Sequence, residues 1–244
     1  MASNSKCLAN CSYCYTNAKK TGINFDNIIV KATEVWGELD ENLRPFQIAI
    51  GGAGEPTLHP DFGEFVKCVK SLGILPNYTT NGMHIDDKIK YVTEKYCGGV
   101  AVSFHPHIEK IFHKAINEYS EIKTRLNTHV IVGEPGSLKT LQLLFDKYPH
   151  LIEYFVVLPY QAVGRAVYAN VDNEWKDTFK WIESLDKISQ AKFAFGALFY
   201  PWLLQNKVNL PIDIYEPEIY SGYRLMNDTY HILRKSSYDL TPKY

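Results

Sequence analysis

The sequence predicts an α/β protein in which short strands alternate with helices around a parallel sheet. Three observations predict it. Short apolar runs recur along the chain, separated by longer stretches of helical period, which is the pattern of repeated βα units. Each step takes roughly 25 to 30 residues, and 244 residues less an irregular carboxyl-terminal stretch fall short of the ~250 that eight units need. Five or six units fit, so the expectation is a partial barrel or open sheet. Finally, 45% hydrophobic and 22% charged residues describe an ordinary globular protein. A chain of this length buries on the order of three quarters of its extended surface, so it needs no disulfide staples. One core over residues 1–205 with an extension over 206–244 is expected.

The strongest early strand is "FQIAI" (46–50), followed by a glycine loop and a helix over 61–72. "ILPNYTT" (74–80) leads through Asn81-Gly82 into a helix over 86–96, and "GVAVSFH" (99–105) into one over 108–123. "THVIVG" (128–133) and "YFVVLPY" (154–160) continue the alternation around a helix over 137–148. A helix over 174–188 and an apolar run over 193–202 complete the core. A first strand ahead of the cysteine-rich segment has only residues 1–6 available, about the length of a minimal strand. Either that strand is stunted or the chain begins late. Beyond residue 206 the chain turns rich in Tyr and Pro, and "YRLMNDTYHILRK" reads as a hairpin turning at Asn227-Asp228. Tyr220, Tyr223 and Tyr230 there would line the mouth of the sheet or pack against it.

The net charge of −1 argues against dependence on a nucleic-acid backbone, which is bound through many Lys and Arg contacts. No stretch approaches the roughly 20 apolar residues that span a bilayer, and the polar start does not read as a secretory leader. Three of the five cysteines cluster within eight positions, which suits thiol or metal chemistry in a reducing compartment. A cytoplasmic location is expected.

Those three are Cys7, Cys11 and Cys14 in "KCLANCSYCY" (6–15). Their spacing also fits one face of a helix, yet Asn10, Ser12 and Asn17 are poor companions for a core stripe. A structural zinc site needs a fourth ligand. Cys68, on the apolar face of "FGEFVKCVKSL", and Cys97, at a helix end, look like packing. A [4Fe–4S] cubane instead offers four irons to three thiolates and leaves one iron open to a substrate.

C-x3-C-x2-C with an aromatic, Tyr13, before the last cysteine resembles the radical S-adenosylmethionine superfamily. The resemblance implies a partial (β/α)6 barrel and one [4Fe–4S] cluster on Cys7, Cys11 and Cys14. It also implies that the open iron chelates S-adenosylmethionine, which one electron cleaves to methionine and a 5′-deoxyadenosyl radical that abstracts hydrogen from a substrate. An electron donor such as flavodoxin or ferredoxin is implied as partner. Peptide, nucleoside and small-metabolite substrates all remain open, and a non-catalytic iron–sulfur or zinc module is the alternative reading.

"GGAGEPTLHP" (51–60) follows the strand 46–50 directly. As a phosphate cradle it fails, because no Gly-Lys-Ser/Thr follows and Glu55-Pro56 brings negative charge and removes an N–H. The carbonyls of Gly52 and Ala53 and the carboxylate of Glu55 suit a cationic amine. With Gly54 they resemble the family's glycine–glutamate element, which binds the amino group of S-adenosylmethionine. Three further strand ends extend the resemblance: Thr80 and Asn81 in "TTNG", Ser103 and His105 in "SFHPH", and Tyr160 and Arg165 in "LPYQAVGRA". They imply contacts to ribose, carboxylate and adenine, with Arg165 pairing with a carboxylate. A strand stop, a cap or a surface ion pair explains each locally. The absence of cysteine after Cys97 implies a single cluster.

Overall fold

A computed structural model of the chain describes residues 1–166, 172–206 and 231–232. Two compact units divide it: Met1–Asn127 with Ala162–Val167, and Thr128–Gln161 with Tyr168–Tyr244.

In the first unit, apolar side chains on β-type runs form β1 (Gln47–Ile50), β2 (Leu75–Thr80) and β3 (Gly99–Ser103). They pair in parallel and in that order, with Ile50 opposite Tyr78 and Tyr78 opposite Val100. Every residue of β3 but the last is buried, as expected of a parallel strand covered on both faces. The crossovers are α2 (Phe62–Ser71), α3 (Asp87–Tyr96) and α4 (Glu109–Ser120). Each buries one apolar stripe: Phe62, Phe65, Val66 and Val69 on α2, and Phe112, Ala115, Ile116 and Tyr119 on α4. The Asp86 carboxylate caps α3 by accepting the Ile89 N–H at 2.8 Å.

A helix α1 (Ile28–Ala32), continued by a π-turn over Thr33–Gly37, lies ahead of β1. A five-residue helix burying only Ile28 and Ala32 leaves almost no periodic signal in the sequence. Residues 1–6 do not form the expected strand. Asn4 and Lys6 make isolated bridges to Asn24 and Lys19. The Met1 backbone pairs with β1 in the parallel pattern: its amino group donates to the Ala49 carbonyl, and the Gly51 N–H donates to the Met1 carbonyl at 2.9 Å.

β4 (Arg125–Val132) starts in the first unit, beside β3, and continues in the second. There the order is β4, β5 (Tyr154–Pro159), β6 (Phe193–Gly196) and β7 (His231–Ile232), with β5 and β6 parallel and β7 antiparallel to β6. α5 (Ser137–Lys147), α6 (Asp172–Ser184) and α7 (Lys187–Gln190) connect them. The apolar run expected over 193–202 is not one element. It is β6, a 3-10 turn at Ala197–Phe199, and α8 (Tyr200–Asn206). Aromatic rings fill this unit's core: Phe145 stacks on Phe193 with centroids 5.2 Å apart, and Trp202 stacks on Phe179 at 5.3 Å. The hairpin turn read at Asn227-Asp228, and Tyr220, Tyr223 and Tyr230, lie outside the described residues. So does the extension expected over 206–244, apart from Asn206 and β7.

One buried polar cluster locks the first unit. The Tyr78 hydroxyl on β2 lies 2.7 Å from Thr93 Oγ1 on α3 and 2.9 Å from the Tyr119 hydroxyl on α4. Burial pushes the Tyr78 phenol well above its usual range, so it stays a neutral hydrogen-bonding group. Replacing Tyr78 with Phe leaves both partner hydroxyls short of a hydrogen bond. The expected loss is about 1–3 kcal/mol in urea unfolding, and an unchanged midpoint would contradict this account of the core.

Candidate functional site

The cysteine segment folds as turns and bends rather than a helix, so the helical spacing of its thiols is coincidental. The loop closes at its base, where the Cys7 N–H donates to the Lys19 carbonyl at 3.0 Å and the Lys19 N–H to Ser5 at 3.3 Å. Inside it, Cys14 N–H reaches the Cys11 carbonyl and Asn17 N–H the Cys14 carbonyl, both at 3.3 Å. Asn10 and Asn17 take the left-handed conformation, φ 52° and 57°, which Asn tolerates better than other side chains.

A loop without ladders of its own needs outside support, and two elements supply it. Residues 162–166 lie across it: the Arg165 N–H donates to Cys14 O at 3.0 Å, its Nε to Cys11 O at 3.0 Å, and its Nη1 to Asn17 Oδ1 at 3.3 Å and to Ala18 O. Arg165, expected to pair with a carboxylate, is here a clamp on loop carbonyls. The approach is so close that a Cβ on Gly164, at φ +68°, would sit 2.5 Å from the carbonyl oxygens of Cys14 and Tyr15. The turn after β3 supplies the other support. His107 Nε2 donates to the Ala9 carbonyl at 2.8 Å, and the Tyr13 hydroxyl meets His105 Nδ1 at 2.9 Å. Burial, with a smaller contribution from His107, pushes the His105 imidazole down to about 4. The ring is therefore neutral at pH 7, hydrogen-bonded through Nδ1 to the Tyr13 hydroxyl.

The glycine loop is stitched to the same segment. Glu55 N–H donates to Lys6 O at 2.8 Å, and Asn4 Nδ2 to Glu55 O at 2.7 Å. A Cβ on Gly54 would lie 2.4 Å from Asn4 Oδ1. The Thr16 hydroxyl donates to Ala53 O at 3.2 Å and touches Cys14 Sγ at 3.4 Å. Gly52 stands at φ +94°, 3.7 Å from the Tyr15 hydroxyl where a Cβ would be. The carboxylate of Glu55 faces inward. It is 3% exposed and accepts from Thr57 N–H at 3.3 Å, Thr57 Oγ1 at 2.8 Å, Thr80 Oγ1 at 2.8 Å and Asn81 N–H at 2.7 Å. Burial raises its pKa, and these donors oppose the rise.

The first unit thus brings together Cys7, Cys11, Cys14, Tyr13, Gly52, Ala53, Gly54, Glu55, Thr80, Asn81, His105 and Arg165. Ser103 stands half-buried at the carboxyl end of β3, two residues before His105. Tyr160 belongs to the second unit, buried, with its N–H on Val132 O at 2.9 Å. Sequence reasoning missed Asn4, Thr16, Gly164 and the role of His107. None carries a local signal, since each acts on chain that is distant in sequence or through a main-chain atom.

The thiols themselves are suited to a cationic group. Burial, then the charges of Cys7 and Cys14, push Cys11 up to about 12, and burial also raises Cys7. At Cys14 burial is outweighed by the Thr16 hydroxyl and nearby main-chain N–H groups, so this thiol titrates below its usual value. Burial thus disfavours the charged form at Cys7 and Cys11, whereas a bound metal inverts that preference. Among the described residues no three His, Cys, Asp or Glu side chains converge on a single ion. Three thiols are the donor set that a cubane takes, each thiolate on a different iron.

Residues 2–129 match the model of the Radical SAM superfamily, and the chain belongs to that superfamily. Among solved structures, Streptococcus suis SuiB bound to S-adenosylmethionine is 17% identical, with a TM-score of 0.67 over 90% of this chain and 54% of that one. SuiB bound to its precursor peptide SuiA is also 17% identical, with a TM-score of 0.62 over 90% and 53%. anSMEcpe with bound AdoMet and the Kp18Cys peptide is 18% identical, with a TM-score of 0.56 over 74% and 58%. The shared fold is the α/β class expected from the sequence, six parallel strands alternating with helices. The chain spans little more than half the length of these proteins. No curated protein sequence matches it, and no helix among the described residues is long and apolar enough to cross a membrane.

Two measurements check this geometry. Gly164→Ala places a side chain against two carbonyls at positive φ, a penalty of at least ~1 kcal/mol, so Tm is expected to fall by about 2–4 °C or more; an unchanged Tm would contradict the clamp. In histidine-labelled apo protein, His105 is expected to titrate by NMR near 4. Because its folded pKa lies below the unfolded value of ~6.5, the stability it contributes is full above that pH and is lost as the pH falls toward 4. A midpoint near 6.5 would show that the ring is not held neutral.

Proposed function

We propose that the chain is the catalytic core of a radical S-adenosylmethionine enzyme, with Cys7, Cys11 and Cys14 holding one [4Fe–4S] cluster. The observation that carries the reading is that the turn after β3 and residues 162–166 support the cysteine loop, with the glycine loop stitched beside it. When bound, the cluster supplies the electron that cleaves S-adenosylmethionine to the 5′-deoxyadenosyl radical, which takes hydrogen from the substrate.

The residues of this chain do the positioning. Arg165, His107 and the Tyr13–His105 pair fix the loop main chain, so that three thiols keep a set spacing without a fourth ligand. Glu55 holds the end of β2 against the glycine loop, and the main chain of Gly52 and Ala53 is the surface offered to the cofactor's amino group. With Glu55 turned inward, its part there is to shape that surface. Thr80 and Ser103 are assigned to the same cofactor through the family resemblance. A reductant of the flavodoxin or ferredoxin class supplies the electron. A peptide is the substrate class to test first, because SuiB and anSMEcpe are both seen with peptides.

Anaerobic protein reconstituted with iron and sulfide, then given dithionite and S-adenosylmethionine, is expected to yield 5′-deoxyadenosine by mass spectrometry. Cys11→Ala is expected to abolish it. Wild-type protein that carries a full cluster and yields none would refute the reading.

A further inference from the structure

The carboxyl end of β2 carries a residue aimed at a thiol, and its geometry defines which way round its amide sits. Asn81 is 5% exposed. Its Oδ1 accepts the Met83 N–H at 2.9 Å, so the other end of the amide is the NH2 group, and Nδ2 lies 3.4 Å from Cys7 Sγ. The main chain at the same residue is pinned as well, with its N–H donated to Glu55 Oε2 at 2.7 Å. Glu55 is in turn held by Thr57 and Thr80. A buried side chain with both ends and its backbone engaged has little freedom to turn away.

The partner is unusual for so constrained a donor. A neutral thiol is a weak acceptor, whereas a hydrogen bond to an ionised acceptor is roughly twice as strong as a neutral one. The arrangement therefore matches a sulfur that carries negative charge. Cys14 differs: the side chain beside its sulfur is the Thr16 hydroxyl at 3.4 Å, which also donates to Ala53 O. The three thiols are not equivalent, and the side-chain amide donor stands at Cys7.

We infer that Asn81 is a positioning and redox-tuning residue, whose amide N–H on the Cys7 sulfur raises the reduction potential of the cluster held there. This rests on the reading of Cys7 as a cluster ligand. One electron added to the cluster by an external reductant increases the negative charge on its sulfurs, and a fixed N–H donor stabilises that reduced state more than the oxidised one. Removing the donor lowers the potential.

The test is an EPR-monitored redox titration of reconstituted wild type, Asn81→Ala and Asn81→Asp, without S-adenosylmethionine and with iron content measured for each. Asp keeps an oxygen for the Met83 N–H and loses the donor; Ala loses both. The expected result is a full cluster in each variant and a midpoint lowered by about tenfold in the reduction equilibrium, about 59 mV for one electron, with Asp at least as low as Ala. Unshifted midpoints in both variants overturn the inference. So does a shift in Ala alone, which would mean that Asn81 acts only through the turn to Met83. Should the variants fail to hold iron, wild type labelled with 15N-asparagine decides: a nitrogen coupling to the reduced cluster is expected in pulsed EPR, and its absence overturns the inference. Shifted midpoints in a protein that never forms 5′-deoxyadenosine would leave the tuning in place and remove the enzymatic reading.

Discussion

The carboxylate of Glu55 is buried among four donors, and much of the site's geometry depends on where it points. An ionised carboxyl group so far from water costs several kcal/mol unless its lone pairs are met. Thr57, Thr80 and Asn81 meet them. Satisfying that one group joins the glycine loop to the end of β2, and through Asn81 to Cys7. The main chain of the same residue reaches the amino-terminal segment through Lys6 and Asn4. Glu55 thus ties three separate pieces of chain around the cysteine loop, where a weaker acceptor would leave them free to drift.

The loop itself has the opposite problem. It must present three thiols at a fixed spacing while forming neither helix nor strand. Its carbonyls are therefore claimed from outside: those of Cys11, Cys14 and Ala18 by residue 165, and that of Ala9 by His107. This is how a short irregular segment acquires the rigidity that a metal ligand set needs. His105 is held neutral next to Tyr13, while the field of the Arg165 guanidinium falls on Cys11 and Cys14.

Much of this was legible in the sequence, for physical reasons. The βα alternation is written in hydrophobic period, and β1, β2 and β3 with their helices fall within a few residues of the expected bounds. The thiol triplet and the glycine loop are local in sequence and chemically distinctive, so they could be found without a fold. What stayed hidden depends on direction or distance. Nothing in "GGAGEPTLHP" says whether Glu55 faces the loop surface or the core, since that is decided by Thr80 and Asn81 on the neighbouring strand. The clamp by Arg165 joins residues about 150 positions apart. α1 is too short to show a period, and the run 193–202 is apolar in both its strand and its helix, so periodicity could not divide it.

The central claim is that three side chains hold the metal group and leave one iron for a small molecule. EPR of the reduced, reconstituted protein with and without S-adenosylmethionine tests it most directly. A spectrum of a single [4Fe–4S] cluster whose g-values change when S-adenosylmethionine is added is the outcome this account requires. An identical spectrum in both states, or one already showing four protein ligands, would contradict it.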